Sequence, residues 1–321
     1  MLNELLEQAA SVAVGGHERP DGDCVGSCMG LYQYILDNYK NIDVDVYLEE
    51  IPDSFHFIRA AKDIKHSIPE EKTYDLFICL DCGDAQRLGF SLPLFLKAKK
   101  TFCVDHHISN HAFAKENYIV PEASSTSELI YNLLSKEKIT KEIAEALYMG
   151  IVHDTGVFQY SCATPATFRA AAALLETGID APALIESTFF EKTYAQNQVL
   201  GRALLESVVF MDGKCIASSV SRSEMEFFGV NEKELEGIVS QLRVTKGVEV
   251  AVFMYELEQN VYKVSLRSKK YIDVSKVAQY FGGGGHIRAA GFTMPGTTHD
   301  IINNLSKQVE LQFEQLEEAE K

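Results

Sequence analysis

Long apolar runs are missing from this chain. No stretch of about 18 apolar residues occurs, the length a membrane-spanning helix needs. Positive charge is scarce as well: 30 Lys and Arg stand against 46 Asp and Glu, a net charge of −16. Long duplex nucleic acid normally meets a broad basic footprint, so duplex DNA is not an expected partner. A small phosphorylated ligand stays open, because a few local cations or bound metal ions suffice for it. An even cysteine framework is lacking too. The seven cysteines lie mostly in apolar strand-like stretches (Cys79, Cys103, Cys215), which reads as reduced thiols in a reducing compartment. Cys79 and Cys82 form a C-x-x-C, but on one strand an offset of three points them to opposite faces, where they cannot chelate together. There is no internal repeat and no low-complexity segment. Residues Met1–Glu7 are acidic and amphipathic, unlike a signal peptide. The expectation is a soluble, cytoplasmic protein with no membrane partner.

What is present fits two domains. The chain has 321 residues at 46% hydrophobic and 24% charged, more than one compact domain of about 100–200 residues usually holds. In the first half, short apolar runs (Val12–Gly15, Val44–Leu48, Leu76–Leu80, Thr101–Val104, Tyr118–Val120) alternate with helical stretches (Cys24–Asn38, Phe55–Lys62, Ser91–Lys99, Ser127–Lys136). That alternation predicts an α/β fold with a mostly parallel sheet, whose ligands bind beyond the carboxyl ends of the strands. Helical spacing then dominates in Lys141–Val152, Pro165–Thr177, Ala181–Phe190 and Tyr194–Leu204. From Ser207 strands return at Val208–Met211, Cys215–Val220, Val248–Leu257 and Val261–Leu266, with helices at Ser223–Phe228, Glu232–Leu242, Asp273–Phe281 and an acidic tail from Thr298. The expected organisation is a catalytic domain over 1–190, a connecting helix over 191–206 with a hinge near Phe190–Ala203, and a smaller α/β domain over 207–321, the active site lying in the cleft between them.

Acid and histidine clusters stand at the expected strand and helix ends: His17-x-x-x-Asp21-x-Asp23, Asp81-x-x-Asp84, Asp105-His106-His107 and His153-Asp154. Each has a plain alternative. Pro20-Asp21-Gly22-Asp23 is a good turn, Asp81 and Asp84 are able to cap a helix, and Gly156 is able to close one. Together, carboxylates converging at one rim repel and protonate unless cations neutralise them. Two divalent ions resolve that conflict. Carboxylates and imidazoles without thiolates suit manganese, with magnesium, cobalt or iron as alternatives.

A second signal is the run Gly282-Gly283-Gly284-Gly285-His286-Ile287-Arg288. Consecutive glycines are costly unless backbone closely approaches a ligand or takes positive φ. The run reads as a phosphate-binding loop using Gly283, Gly284, Gly285, His286 and Arg288, with Arg267 at a nearby strand end as a further guanidinium.

These motifs together resemble the DHH-family phosphoesterases. The matching residues are His17 to Ser27, Asp81-Cys82-Gly83-Asp84, Asp105-His106-His107, Asp154-Thr155-Gly156, and a stretch from Gly282 to Gly291 similar to the DHH-associated domain. Within the family the chain resembles the compact bacterial nanoRNases, which also act as phosphatases on 3′-phosphoadenosine 5′-phosphate (pAp). The resemblance implies that His17, Asp21 and Asp81 hold one ion. Asp23, Asp81, His106 and Asp154 hold the other, with Asp81 bridging. His107 faces the scissile phosphate and Asp105 orients an imidazole. Arg19 stands where the family often has a small residue, and it reads as solvated. The implied activity is metal-dependent hydrolysis of short single-stranded oligoribonucleotides to mononucleotides, of pAp to AMP, or both. The alternatives are a phosphodiesterase acting on cyclic di-AMP or linear dinucleotides and, more remotely, a non-catalytic nucleotide-binding protein. A homodimer is a family-based expectation.

Overall fold

The computed structural model describes residues 2–69 and 71–319. These fall into two units, divided between Glu191 and Lys192. In the first, five strands form a fully parallel sheet in the order β2-β1-β3-β4-β5. They are β1 Ser11–Gly15, β2 Asp43–Tyr47, β3 Leu76–Leu80, β4 Lys100–Asp105 and β5 Glu116–Ile119. Its α-helices are α1 Leu2–Glu7, α2 Gly22–Asn38, α3 Leu92–Lys97, α4 Thr126–Leu133, α5 Lys141–Asp154, α6 Pro165–Leu175 and α7 Ala181–Ile185.

The period-two alternation of a strand divides its apolar residues between two cores. Val12, Val14, Leu76, Ile78, Leu80, Phe102 and Val104 join one, with α2, α4 and α5. Ala13, Phe77, Cys79 and Cys103 join the other, with Tyr47, Tyr74 and the α3 residues Leu94 and Phe95. Both faces are covered, which is why β3 is apolar and buried throughout.

The second unit holds α8 Tyr194–Leu205, β6 Val208–Phe210, β7 Cys215–Val220, α9 Arg222–Phe228, α10 Ile238–Arg243, β8 Val250–Glu258, β9 Val261–Ser268, α11 Val274–Tyr280, β10 Gly284–His286, β11 Ala289–Pro295 and α12 Thr298–Ala319. Its sheet runs β10-β11-β9-β8-β7-β6 and is antiparallel except at the β7–β8 pair. The α11 and α12 helices pack on one face, and α8 to α10 on the other. The α8 helix, expected as a connector, clusters with this unit.

Several expectations need correction. No α-helix covers Phe55–Lys62. Two short 3₁₀ turns, Asp53–Phe55 and Ala61–Asp63, flank a left-handed Ala60 (φ 65°) that breaks the helical path. Glu232–Leu242 is likewise interrupted, by Gly237 at φ 88°. Cys79 and Cys82 do not face apart. Asp81 lies between them in a left-handed conformation (φ 57°), which takes Cys82 off the strand line and brings both thiols into one buried cluster with Cys103. Nor is the glycine run a simple loop, because Gly284–His286 is a strand paired with Ala289–Gly291.

Candidate dimetal site

The site assembles beyond the carboxyl ends of β1, β3 and β4. His17 follows β1 by two residues, Asp81 follows β3 directly, and Asp105 ends β4. Asp81 still donates its backbone N–H to the Val104 carbonyl (3.1 Å), so it extends the β3–β4 ladder while its left-handed φ turns the chain. That conformation costs a non-glycine residue energy, and Asp tolerates it better than most. Asp21 caps α2, its Oδ1 accepting from the N–H groups of Asp23 and Cys24 at 3.1 Å. This aims the first turn of α2, with Asp23, at the sheet.

Two groups of donors result. His17 Nε2 lies 3.5 Å from Asp81 Oδ2 and 3.7 Å from Asp21 Oδ1. Its Nδ1 donates to the Glu18 carbonyl at 2.8 Å, which fixes the tautomer and leaves Nε2 facing the two carboxylates. His106 Nε2 lies 3.1 Å from Asp154 Oδ2, 3.6 Å from Asp81 Oδ1 and 4.0 Å from Asp23 Oδ2. Asp81 thus presents one oxygen to each group. His107 Nδ1 lies 3.7 Å from Asp81 Oδ1, close enough to share a donor group with Asp81 and His106, but it has a shorter bond. Its Nδ1 is 2.8 Å from Asp105 Oδ1 and, since an ionised carboxylate only accepts, Nδ1–H is the donor. Asp105 is fully buried, and its other oxygen accepts from Asn110 Nδ2 at 2.7 Å.

Electrostatics mark the cluster as short of positive charge. Burial, reinforced by the charge of Asp81, pushes the Asp23 carboxyl up to about 7. Burial likewise raises Asp154 well above the usual carboxylate range, with Asp23, Asp81 and Asp21 adding to it. Burial opposes charging His17, yet the adjoining Cys24, Asp21 and Asp81 raise its imidazole well above the ordinary value. The hydrogen bond that His107 donates to Asp105 raises the His107 imidazole. Burial works against ionisation of Asp105, but the bonds from His107 and Asn110 hold it below the usual range. Among the described residues of this unit, the ion-pair partners of Asp21, Asp23, Asp81 and Asp154 are imidazoles rather than ammonium or guanidinium groups. Carboxylates and imidazoles gathered in this way, with protons favoured where cations are lacking, are a donor set that fits divalent metal ions.

Sequence reasoning missed the groups that hold the donors. Ser124 to Ser127 are all fully buried at the start of α4. The N–H groups of Thr126 and Ser127 donate to the two oxygens of Asp23 (2.6 and 2.8 Å), and Thr126 Oγ1 donates to Asp81 Oδ1 (3.1 Å). Gly150 lets α5 approach them. A Cβ there would sit 2.0 Å from Ser127 Oγ and 3.0 Å from Asp23 Oδ1. Residues with a Ser/Thr run before a helix read as an N-cap, and nothing local signals partners 45 and 103 positions away. Asp84 is such a cap, accepting from the N–H groups of Gln86 and Arg87. Arg19 is exposed.

The glycine-rich segment of the second unit is built differently. Gly283 and Gly285 are required by the hairpin itself, since a Cβ would lie 2.2 Å from the Gly291 carbonyl oxygen and 2.5 Å from that of Ala289. Gly284 alone of these three opens to space. The Arg288 guanidinium donates to the carbonyls of Ile272 (2.7 Å) and Lys270, while Glu249 accepts the N–H groups of Lys270, Tyr271 and Ile272. Arg288 and Glu249 therefore clamp one loop through its carbonyl and amide groups. Arg267 donates to the Leu266 carbonyl at 3.0 Å, and His286 is exposed on β10.

Comparison with known proteins places both halves of the chain in known domain families. The family model described as the DHH family, N-terminal domain, matches residues 11–151, and the DHHA1 domain matches 212–315. A bifunctional oligoribonuclease and PAP phosphatase, NrnA, of Thermus thermophilus is 30% identical over 295 residues, covering 90% of this chain and 86% of that protein. NrnA of Bacillus subtilis is 26% identical, covering 91% and 92%. The cyclic-di-AMP phosphodiesterase PdeA of Listeria monocytogenes is 27% identical over 92% of this chain, which spans 47% of that protein. The crystal structure of an exopolyphosphatase-related protein from Bacteroides fragilis superimposes with a TM-score of 0.88 at 26% identity, covering 97% of this chain and 96% of that one. No helix among the described residues is long and apolar enough to cross a membrane. A parallel sheet ending in acids and imidazoles in one unit, a mixed sheet in the other, and matches along nearly the whole length lead to one assignment: the chain belongs to the DHH family, hydrolases of phosphate esters.

Proposed function

We propose that this protein hydrolyses short oligoribonucleotides to mononucleotides and pAp to AMP, with two divalent ions held by His17, Asp21 and Asp81 on one side and by Asp23, Asp81, His106 and Asp154 on the other. The observation that carries the reading is the division of Asp81, one oxygen near His17 and the other near His106. The names of the relatives from Thermus and Bacillus support the substrate class. When bound, the ions would supply Lewis-acid charge to the phosphate and a nucleophilic water at neutral pH, manganese suiting these carboxylate and imidazole donors best.

The remaining work falls to the chain's own groups. Asp23 is held by two backbone amides and Asp81 by the Thr126 hydroxyl, so neither carboxylate must reorganise. Asp105, anchored by Asn110, fixes the His107 tautomer. Proton transfer to the leaving oxygen is then assigned to His107 Nε2, a step that typically contributes ~10²–10⁴-fold in rate. In the second unit, Gly283, Gly284, Gly285, His286 and Arg267 are assigned to the nucleotide, and Arg288 to holding the Lys270–Ile272 loop.

The test is a single-turnover panel of pAp, a 5′-phosphorylated dinucleotide, a five-mer and cyclic di-adenylate, with manganese added and removed. Manganese-dependent release from the first three, fastest for the shortest, is expected. No release from any of them would end the reading. A second reading, cyclic di-adenylate as the preferred substrate, is favoured by the similarity to PdeA and would show as fastest turnover on that compound.

A further inference from the structure

The preference for manganese assumed that no thiolate reaches the ions, yet one thiol stands among the donors. Cys24, the third residue of α2, is fully buried, and its Sγ lies within 4.8 Å of donor atoms of both His17 and Asp81. All three residues of this group are buried, whereas the Asp21 side chain is 63% exposed and its Oδ1 already accepts two backbone amides. The thiol is also held in place. Its S–H donates to the His17 carbonyl oxygen in the β1–α2 loop at 3.9 Å, through a proton that metal binding would displace. The absence of a side chain at Gly16 makes room for it, since a Cβ there would meet Sγ at 2.3 Å. A cysteine serving only as a small core hydrophobe needs no imidazole and carboxylate on one side.

Resting on the dimetal reading above, we infer that Cys24 is a ligand of the ion at the His17–Asp81 position. Binding there releases the thiol proton to solvent and forms a metal–sulfur bond. The consequence is selectivity. A mixed sulfur, nitrogen and oxygen set favours zinc, cobalt or iron over magnesium, while the Asp23–His106–Asp154 position keeps only nitrogen and oxygen donors. The two positions then differ in the ions they accept.

Cobalt(II) titration of metal-stripped, reduced protein tests this without reference to turnover. Wild type should bind cobalt by elemental analysis and develop a near-ultraviolet thiolate-to-cobalt charge-transfer band. Cys24→Ser should lose that band while retaining cobalt at the other position, and Cys28→Ser, one helical turn away, should keep it. Cobalt bound by wild type without the band, or a band that survives Cys24→Ser, overturns the inference and leaves the dimetal reading standing. No cobalt bound by wild type sinks the dimetal reading itself. Where Cys24→Ser fails to fold, Cys24→Ala repeats the test, and a Cys79→Ser/Cys82→Ser protein that keeps the band excludes the other thiol cluster.

Discussion

Two histidine-bearing regions of this molecule use charge in opposite ways. At the carboxyl ends of β1, β3 and β4, acidic groups are pressed together so that burial and mutual repulsion push Asp23 and Asp154 towards protonation. At the β10–β11 hairpin, the one guanidinium following His286 is absorbed by the carbonyls of Lys270 and Ile272. The first region holds charge that the fold alone does not satisfy. The second uses charge to satisfy the fold. The difference teaches that a motif residue's chemistry is judged by what its neighbours leave undone, and on that measure the two regions give separate predictions.

The largest effect belongs to the unsatisfied region. Asp81→Ala is expected to abolish both turnover and bound metal. His107→Ala should lower turnover by ~10²–10⁴-fold with metal content retained. Equal metal loss in the two variants would erase the distinction between ligand and proton donor.

Next comes the pH dependence of the metal-free protein. A carboxyl with a raised folded-state pKa binds its proton more tightly folded than unfolded. Its favourable contribution is complete below the unfolded value, about 4, and is lost as pH rises. Asp23 places the end of that loss near about 7 and Asp154 acts with the same sign, while His153, lowered by burial to about 4, acts with the opposite sign between about 4 and 6.5. Between these pH values the stripped wild type should therefore lose stability relative to stripped Asp23→Asn, and added manganese should flatten that difference. Chemical denaturation at several pH values measures both. A pH dependence that Asp23→Asn leaves unchanged contradicts the account of unmet charge.

Gly150→Ala should follow, at about 1–3 kcal/mol lost, because its methyl meets Ser127 Oγ and crowds Asp23. Metal affinity should weaken along with thermal stability. In the other region, Arg288→Ala should cost about 1–3 kcal/mol through the loop carbonyls it leaves unpaired, with kcat unchanged. A raised KM at unchanged stability would instead make it a substrate group and dissolve the contrast. Smallest of all, Arg19→Ala should shift stability by less than about 0.5 kcal/mol and leave turnover alone.

The sheet was the legible part of the sequence. Leu76–Leu80 is a buried strand with the bounds its apolar run suggests, and the acids after it fall where parallel sheets bind ligands. Alternation and end position are local properties, so one sequence carries them. What escaped depends on distant pairing or on single dihedrals. Thr126 reads as the start of a helix until Asp23 and Asp81 are set beside it. Ala60 carries no mark of its left-handed turn, which ends the helix that Phe55–Lys62 suggests. Cys24 reads as an apolar helix residue, because the proximity of His17 and Asp81 exists only after β1 and β3 pair. Gly283 and Gly285 signal close approach, and the structure shows that the hairpin's own backbone also requires it, which composition does not encode.

The left-handed turn at Asp81 does two jobs with one dihedral: it aims a carboxylate upward and tucks the Cys82 sulfur under the sheet beside Cys79. Descendants that abandoned catalysis would be free to discard the acid but not the bend. Drift at this position should therefore favour asparagine or glycine, which accept that backbone, over glutamate, which preserves the charge and resists the geometry.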